Sequence, residues 1–541
     1  MKIKERFQSI VNGVSGRLKD FAEKIWLPTW LVKTSVARSS SLAILFLVCL
    51  CVGAFVSTRF LDSCTTTPMT AAPNSQNSIF TGITSNRPSP DKLHQSKSQL
   101  QLNCWPANST RKCPSNYYPS NHSAEKQNHH SPQQQQQPIC PEYFRWIHQD
   151  LWPWRETGIT AEMVEAANKM KSAFYRLVIV NGTAYLQTHM RCFQTRDVFT
   201  QWGILQLLRL YPAQIPDLDL VFNCGDLPAV PKETYPKPNA QAPPPLFSYD
   251  GNNATSDIIF PDWSFWGWPE INIKPWEALS KELKEGNEQS KWINREPYAY
   301  WKGNPHVSPN RMDLLKCGVS DKQDWNARIY VQDWFRETRQ GFRTSKLADQ
   351  CKHRYKIYIE GRGWSVSEKY ILACDSLSLI VNTRFDHFFT RSLMPLQHYW
   401  PIRDDDKCRS IKSAVEWGNS HPKEAQAIGR AASKFIQEEL HLSYVYDYMF
   451  HLLTEYAKLL TYKPVIPPKA VELCSESMAC PAQGLMKKYM MDSLVSSPSD
   501  VPPCTMPPPY DPSTLHSILE RKRDSLKQVE MWEKEYWGTH K

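Results

Sequence analysis

Between Tyr355 and Asn382 the chain reads YKIYIEGRGWSVSEKYILACDSLSLIVN. A strand of alternating type enters Gly361-Arg362-Gly363, a helix-period segment follows, and SLIV supplies a second strand, so the spacing predicts a βαβ unit with a glycine turn at the strand end. Such crossovers build parallel sheets flanked by helices, which restricts the fold to the α/β class. Ser365 with Glu368 three residues on is a capping-box pattern and puts a helix start beside the glycines. Backbone N–H groups there would face a diphosphate, with Arg362 or Lys369 as counter-charge. The segment matches neither a dinucleotide fingerprint nor a Walker sequence.

Strand and helix signals alternate upstream as well. TAEMVEAANKMKSAF has helical spacing with Thr160 as N-cap; YRLVIVNG and TAYLQTHM read as a hairpin around Asn181-Gly182; VFTQWGILQLLRLY reads as a helix leading to the strand of DLDLVFNCGDLP. A second unit starts near Tyr298 with YAYWKGNP, followed by Ser308-Pro309-Asn310-Arg311. Loops at strand C-termini hold ligands in open α/β sheets, which makes Lys302, Gly303, Ser308 and Arg311 candidates. In PDWSFWGWPE, the rings of Trp263, Phe265, Trp266 and Trp268 would either stack a sugar or nucleobase or build a core.

Charge and cysteine usage bear on partners and compartment. Of 541 residues, 64 are Lys or Arg and 54 Asp or Glu, a net charge of +10. Residues 1–38 hold eight basic and three acidic residues, so the other 503 carry only +5, too little for a nucleic-acid partner. Ser41 to Thr58 is an uncharged, mostly apolar run that would span about 27 Å as a helix. Lys24, Lys33 and Arg38 precede it, whereas Arg59 and Asp62 cancel after it, predicting a single-pass type II signal anchor with the body in the lumen of the endoplasmic reticulum or Golgi. Cys49 and Cys51 fall inside that run, leaving an odd thirteen beyond it with no zinc-type spacing. Disulfides in an oxidising compartment are expected, with at least one thiol left over or paired between chains. N-glycosylation sequons at Asn108, Asn121, Asn181 and Asn253 agree.

Composition divides the chain into a cytosolic tail (1–40), the anchor (41–58), a polar disordered stem (59–139), an acceptor-side lobe (140–297), a donor-binding lobe (298–463) and a Pro-rich tail with a terminal charged helix (464–541) that reads as solvated or as a partner site. Asp217-Leu218-Asp219 and Asp404-Asp405-Asp406 have D-x-D spacing, but the first alternates as a strand and the second reads as a turn, so neither is assigned a metal. No hydrolase signature is present.

The segments YAYWKGNP, SPNRMDLLKC, CKHRYKIYIEGRGWSVSEKYILACDSLSLIV, FPDWSFWGWPE and SAVEWG to YAKLL, taken in order, resemble the Rumi-like protein O-glucosyltransferases and fungal capsule-associated proteins of glycosyltransferase family 90, most closely its plant branch. The resemblance runs from about Cys140 to Pro464. It implies a GT-B fold of two Rossmann-like lobes and a UDP-sugar donor, glucose or xylose, seated mainly in the second lobe. It further implies inverting transfer to a hydroxyl of a protein or polysaccharide acceptor, with no metal or other cofactor. Lys302 and Arg311 match basic positions of the family's donor loop, and Gly361 and Ser365 match its diphosphate loop. The animal enzymes carry an arginine near Ser367 that this chain lacks, and Arg362 and Lys369 are the substitutes at hand. Their catalytic aspartate aligns at His189.

Single displacement needs one base and one place for diphosphate charge. Asp197 is the first choice for the base, with N-capping of the following helix as its structural alternative, and Asp226 and His189 stand behind it. A catalytically silent glycan-binding or scaffold protein on the same fold is the alternative function.

Overall fold

The computed structural model describes residues 102–104, 113, 137–235 and 242–540. The expected anchor with Cys49 and Cys51, most of the expected stem, Cys64, Asn108 and Asn121 lie outside them. Among the described residues no helix is long and apolar enough to cross a membrane.

Two sheets organise the chain. The first contains β1 (Tyr175–Val180), β2 (Thr183–Thr188), β3 (Leu218–Phe222), β4 (Phe247–Ser248) and β5 (Ile258–Ile259), in the order β11-β2-β1-β3-β4-β5 with β11 (Val471–Leu473) arriving from the C-terminal segment. The expected hairpin forms: Asn181 and Gly182 have φ of 51° and 74°, the left-handed pair of a two-residue turn, and Val180 faces Thr183. That turn makes β1 antiparallel to β2, and β1 is antiparallel to β3 as well, so this sheet is mixed; only β3, β4 and β5 run parallel. The second sheet, of β6 (Glu296–Gly303), β7 (Ala327–Val331), β8 (His353–Tyr358), β9 (Leu377–Val381) and β10 (Trp400–Ile402), has the order β10-β9-β8-β6-β7 and is parallel throughout.

Helix α1 (Ala161–Asn168) starts where Thr160 accepts from the Met163 N–H at 3.3 Å, as expected. Helix α2 (Arg196–Leu210) is buried almost all round, which is why its sequence shows no polar stripe. In the second lobe, α3 (Pro309–Leu314) follows β6 and α4 (Ser367–Leu372) connects β8 to β9. Helix α5 (Leu442–Leu459) crosses back to the first lobe: Tyr456 donates to the Asp219 carbonyl at 3.0 Å, and Trp266 Nε1 donates to Tyr446 at 2.9 Å. The terminal helix α6 (Pro512–Thr539) is docked along one face, where Val529 and Glu533 are buried, and is exposed over most of its length. Trp532 stacks on Trp400 and Trp417, with ring centroids 5.7 Å away in each case.

Among the described residues twelve cysteines pair. Cys104–Cys480, Cys113–Cys474 and Cys140–Cys504 tie the N-terminal approach to the C-terminal segment, Cys192–Cys224 clamps the loop before α2 to the end of β3, and Cys317–Cys408 and Cys351–Cys374 lie in the second lobe.

Candidate active site

The parallel strands of both sheets end toward one seam. From the first lobe come Asp226, four residues beyond β3, and Asp250, two beyond β4; from the second come Gly361–Ser365 after β8 and Arg384–His387 after β9. Gly251 and Asp386 exchange backbone hydrogen bonds of 3.1 and 2.8 Å across the seam. A methyl group on Gly363 would collide with the Asp226 carbonyl oxygen, so only glycine fits that approach. The Trp364 N–H donates to Asp250 Oδ2 at 3.4 Å.

Four expected donor residues come together here. Ser308 caps α3 by accepting from the Arg311 N–H at 3.3 Å, and the Arg311 guanidinium donates to Ser365 Oγ at 3.1 Å, to the Glu360 and Ile359 carbonyls at 3.0 and 3.1 Å and to that of Asn304 at 3.4 Å. Gly361 continues the same turn. Burial lowers the pKa of Arg311, and no carboxylate pairs with it among the described residues. A cation held by neutral oxygens alone is under-compensated until an anion arrives. Arg362, exposed in the turn, and Arg384, half-exposed with Nε 3.3 Å from Glu360 Oε2, add positive charge at the strand ends.

Other expectations are corrected. The capping box is not formed: the Ser365 N–H donates to the Tyr358 hydroxyl at 3.1 Å, α4 starts at Ser367 without a side-chain cap, and Glu368 is buried with its pKa pushed up to about 8 by desolvation. Lys302 is held by Glu337 at 3.1 Å and the Thr344 carbonyl at 2.7 Å, and the Gly303 carbonyl accepts from the Gln332 N–H at 2.8 Å. Lys369 is buried against Ser264 at 2.6 Å and Asp262 at 3.4 Å, so its charge is spent inside the protein. Trp263, Phe265 and Trp266 are fully buried in the first-lobe core and present no face to a ligand. Only Trp268 is partly exposed, with Nε1 donating to Gln194 at 2.7 Å.

The three acid–base candidates separate by geometry. Asp197 Oδ1 accepts from the adjacent Val198 N–H at 2.9 Å within the first turn of α2, and burial raises its pKa against those backbone bonds. His189, exposed after β2, contacts Asn168 Oδ1 at 2.6 Å. Asp226 lies at the seam with its side chain 39% exposed, and Oδ1 accepts from Arg196 Nη1 at 2.8 Å. Arg196 is buried, donates also to the Cys224 carbonyl at 3.2 Å, and lies over the Trp263 ring at 4.6 Å. Arg196, Asp250 and Arg384 were not singled out from sequence; a basic or acidic residue just beyond a strand or opening the helix after Cys192 is the only signal they give.

The D-x-D segments are occupied. Asp219 takes a bidentate pair from Arg176 at 2.7 and 2.6 Å, and Asp217 accepts from the Asn181 N–H at 2.7 Å. Asp405 pairs with Arg403 at 2.7 Å and Asp404 with Lys407 at 2.8 Å. Cys140, His451 and Cys504 cluster closely, but the two sulfurs are bonded to each other and His451 Nε2 contacts the Cys504 carbonyl at 2.8 Å. The sequons at Asn181 and Asn253 are both exposed.

Residues 135–533, which include the whole seam, match the family model for glycosyl transferase family 90. The chain belongs to glycosyltransferase family 90. It is 27% identical over 338 residues to Protein O-glucosyltransferase 1 of Bos taurus, covering 60% of this chain and 82% of that protein. To O-glucosyltransferase rumi of Drosophila melanogaster it is 25% identical over 346 residues, covering 60% and 78%. The family-90 match thus extends beyond the stretch that resembles the family by motif, taking in the C-terminal segment up to Glu533 within α6.

Proposed function

We propose that this family-90 chain is a secretory-pathway O-glycosyltransferase that takes glucose or xylose from a UDP-sugar and passes it, with inversion, to a hydroxyl of a protein acceptor. The observation that carries this reading is Arg311: a buried guanidinium without a carboxylate partner among the described residues, beside the Gly361–Gly363 turn and across the seam from Asp226. The relatives' names supply the transfer of glucose and the protein acceptor.

In the reaction, Arg311, with Arg362 and Arg384 at the strand ends, holds the diphosphate and stabilises the charge that develops on it as UDP leaves. Asp226 removes the acceptor hydroxyl proton as that oxygen attacks the anomeric carbon. Arg196 orients the Asp226 carboxylate through Oδ1 and leaves Oδ2 for the proton. Asp226 displaces Asp197 as first choice because it lies beside Gly363 of the second lobe with its side chain 39% exposed, whereas Asp197 is tied into the first turn of α2. The arginines supply the positive charge that a metal would otherwise bring, so the reaction proceeds in the presence of a chelator. Two Rossmann-like lobes meeting at strand C-termini fit a GT-B arrangement, the mixed first sheet being a local departure. Six disulfides fit a lumenal body, with the Ser41–Thr58 run as its anchor.

Titration of the full-length chain with UDP, UDP-glucose and UDP-xylose in a chelator tests the donor. Saturable binding of uridine nucleotides is expected, and a folded chain that binds none contradicts the reading.

A further inference from the structure

Beyond the seam, the second lobe carries a basic segment that no part of the donor or base machinery uses. β7 is the edge of its sheet, paired only with β6, and its last residues Tyr330 and Val331 are 48% and 49% exposed. The chain continues into a short helix, Trp334–Arg339, which Asp333 caps by accepting from the Arg336 N–H at 3.1 Å, and then to Lys346. Arg336, Arg339, Arg343 and Lys346 are exposed, and among the described residues none of them pairs with a carboxylate. Glu337, the buried acid of the segment, is matched by Lys302 at 3.1 Å, so Asp333 is the one acid left to offset four cations. Phe335, next to Arg336, is 78% exposed.

The segment is held in place. Gln332 donates through its N–H to the Gly303 carbonyl at 2.8 Å and through Nε2 to Ser345 at 2.8 Å, and Thr344 Oγ1 donates to Glu337 at 2.6 Å. Its helix lies against Pro269–Ile271 of the first lobe, where Glu270 accepts from Thr195 at 2.9 Å, next to Arg196 and hence to Asp226. An open strand edge, an exposed aromatic ring and four cations without carboxylate partners among the described residues thus flank a helix that approaches the start of α2, where Arg196 holds Asp226.

We propose that the β7 edge and the segment Asp333–Lys346 dock the acceptor, and that this acceptor is an extended polypeptide rich in Asp and Glu around the hydroxyl that receives the sugar. The inference rests on the transferase reading above. Charge complementarity names the acid, since arginine clusters bind carboxylates bidentately. The edge strand favours a polypeptide over an acidic polysaccharide, because only a polypeptide continues the ladder of backbone hydrogen bonds that β7 leaves open.

The test uses the full-length chain and two fluorescent serine peptides, one flanked by Glu and Asp and the other by Gln and Asn. Anisotropy is expected to show at least about tenfold tighter binding of the acidic peptide, an advantage lost as salt shortens the Debye length and lost in the R336Q/R339Q/R343Q variant. Backbone amides of Ala327–Val331 are expected to exchange more slowly when the acidic peptide is bound. Equal binding of the two peptides by the wild-type chain overturns the proposal without reliance on any variant. Polygalacturonate binding where the acidic peptide does not would overturn the polypeptide assignment. UDP binding, measured separately on the same sample, reports on the transferase reading, so that failure of one is not mistaken for failure of the other.

Discussion

Arg196 donates to one oxygen of Asp226 at 2.8 Å, joining the first turn of α2 to the loop beyond β3. The Cys192–Cys224 disulfide fastens the same two segments a few residues away. Asp226 is thereby fixed at the seam, its side chain 39% exposed and its backbone carbonyl against Gly363 of the other lobe. Replacing Asp226 with Asn is expected to cut turnover by ~10²–10⁴-fold while leaving UDP affinity nearly unchanged, because a general base is lost and the phosphate contacts are not. Asp197→Asn is expected to keep most of the activity. Parallel rate and binding measurements on the two variants decide between the acids.

Arg311 and Lys369 are expected to part company in the same assay. Arg311→Gln removes the charge proposed to face the diphosphate and is expected to weaken UDP binding by ~10- to 100-fold, as for loss of a charge-assisted hydrogen bond. Lys369→Met instead leaves Asp262 buried beside Ser264 without its cation, costing ~3–5 kcal/mol of stability, with little change in UDP affinity of the folded fraction. Calorimetric titration and thermal melts separate the two effects.

Asp250 gives the fold a pH dependence. Burial pushes its pKa from 3.8 up to about 8 against the Trp364 N–H bond, and the nearby carboxylates of Asp257, Glu360 and Asp226 add to the rise. The folded chain then holds a proton that the unfolded chain gives up near pH 4, so between about pH 4 and about pH 8 the native state binds more protons and stability falls as pH rises. Asp250→Asn is expected to flatten that fall in melts recorded across the range. An unchanged slope would mean that Asp250 is ionised in the folded chain.

What the sequence revealed and what it concealed divide along physical lines. The hairpin at Asn181-Gly182, the Thr160 cap and the β8–α4–β9 crossover were legible because each depends on local backbone chemistry or on a period. The helix-start site beside Ser365 was not, since the Tyr358 hydroxyl reaches the Ser365 N–H and α4 begins later. Trp263, Phe265 and Trp266 read equally well as a stacking platform or a core, and only packing against α2 and α5 decides for the core. Lys369 looked like a phosphate ligand because its partner Asp262 is distant in sequence. Asp226 and Arg196 are likewise thirty residues apart and become a pair only when β3 and α2 are set side by side.

The C-terminal segment is expected to be a covalent part of the body. Cys104–Cys480, Cys113–Cys474 and Cys140–Cys504 each close a loop of more than 360 residues. Peptide mapping without reduction should recover these three links, and removing Cys140–Cys504 by double serine substitution is expected to cost ~2–5 kcal/mol. Different partners in the map would overturn this placement of the tail.

The most direct test of the account is UDP release by the purified full-length chain, followed over a panel of UDP-sugars with a chelator present. Release from UDP-glucose or UDP-xylose, lost in the Asp226→Asn variant, is the predicted result. A folded chain that releases no UDP from any donor and binds no uridine nucleotide would contradict it and return the fold to a glycan-binding or scaffold role.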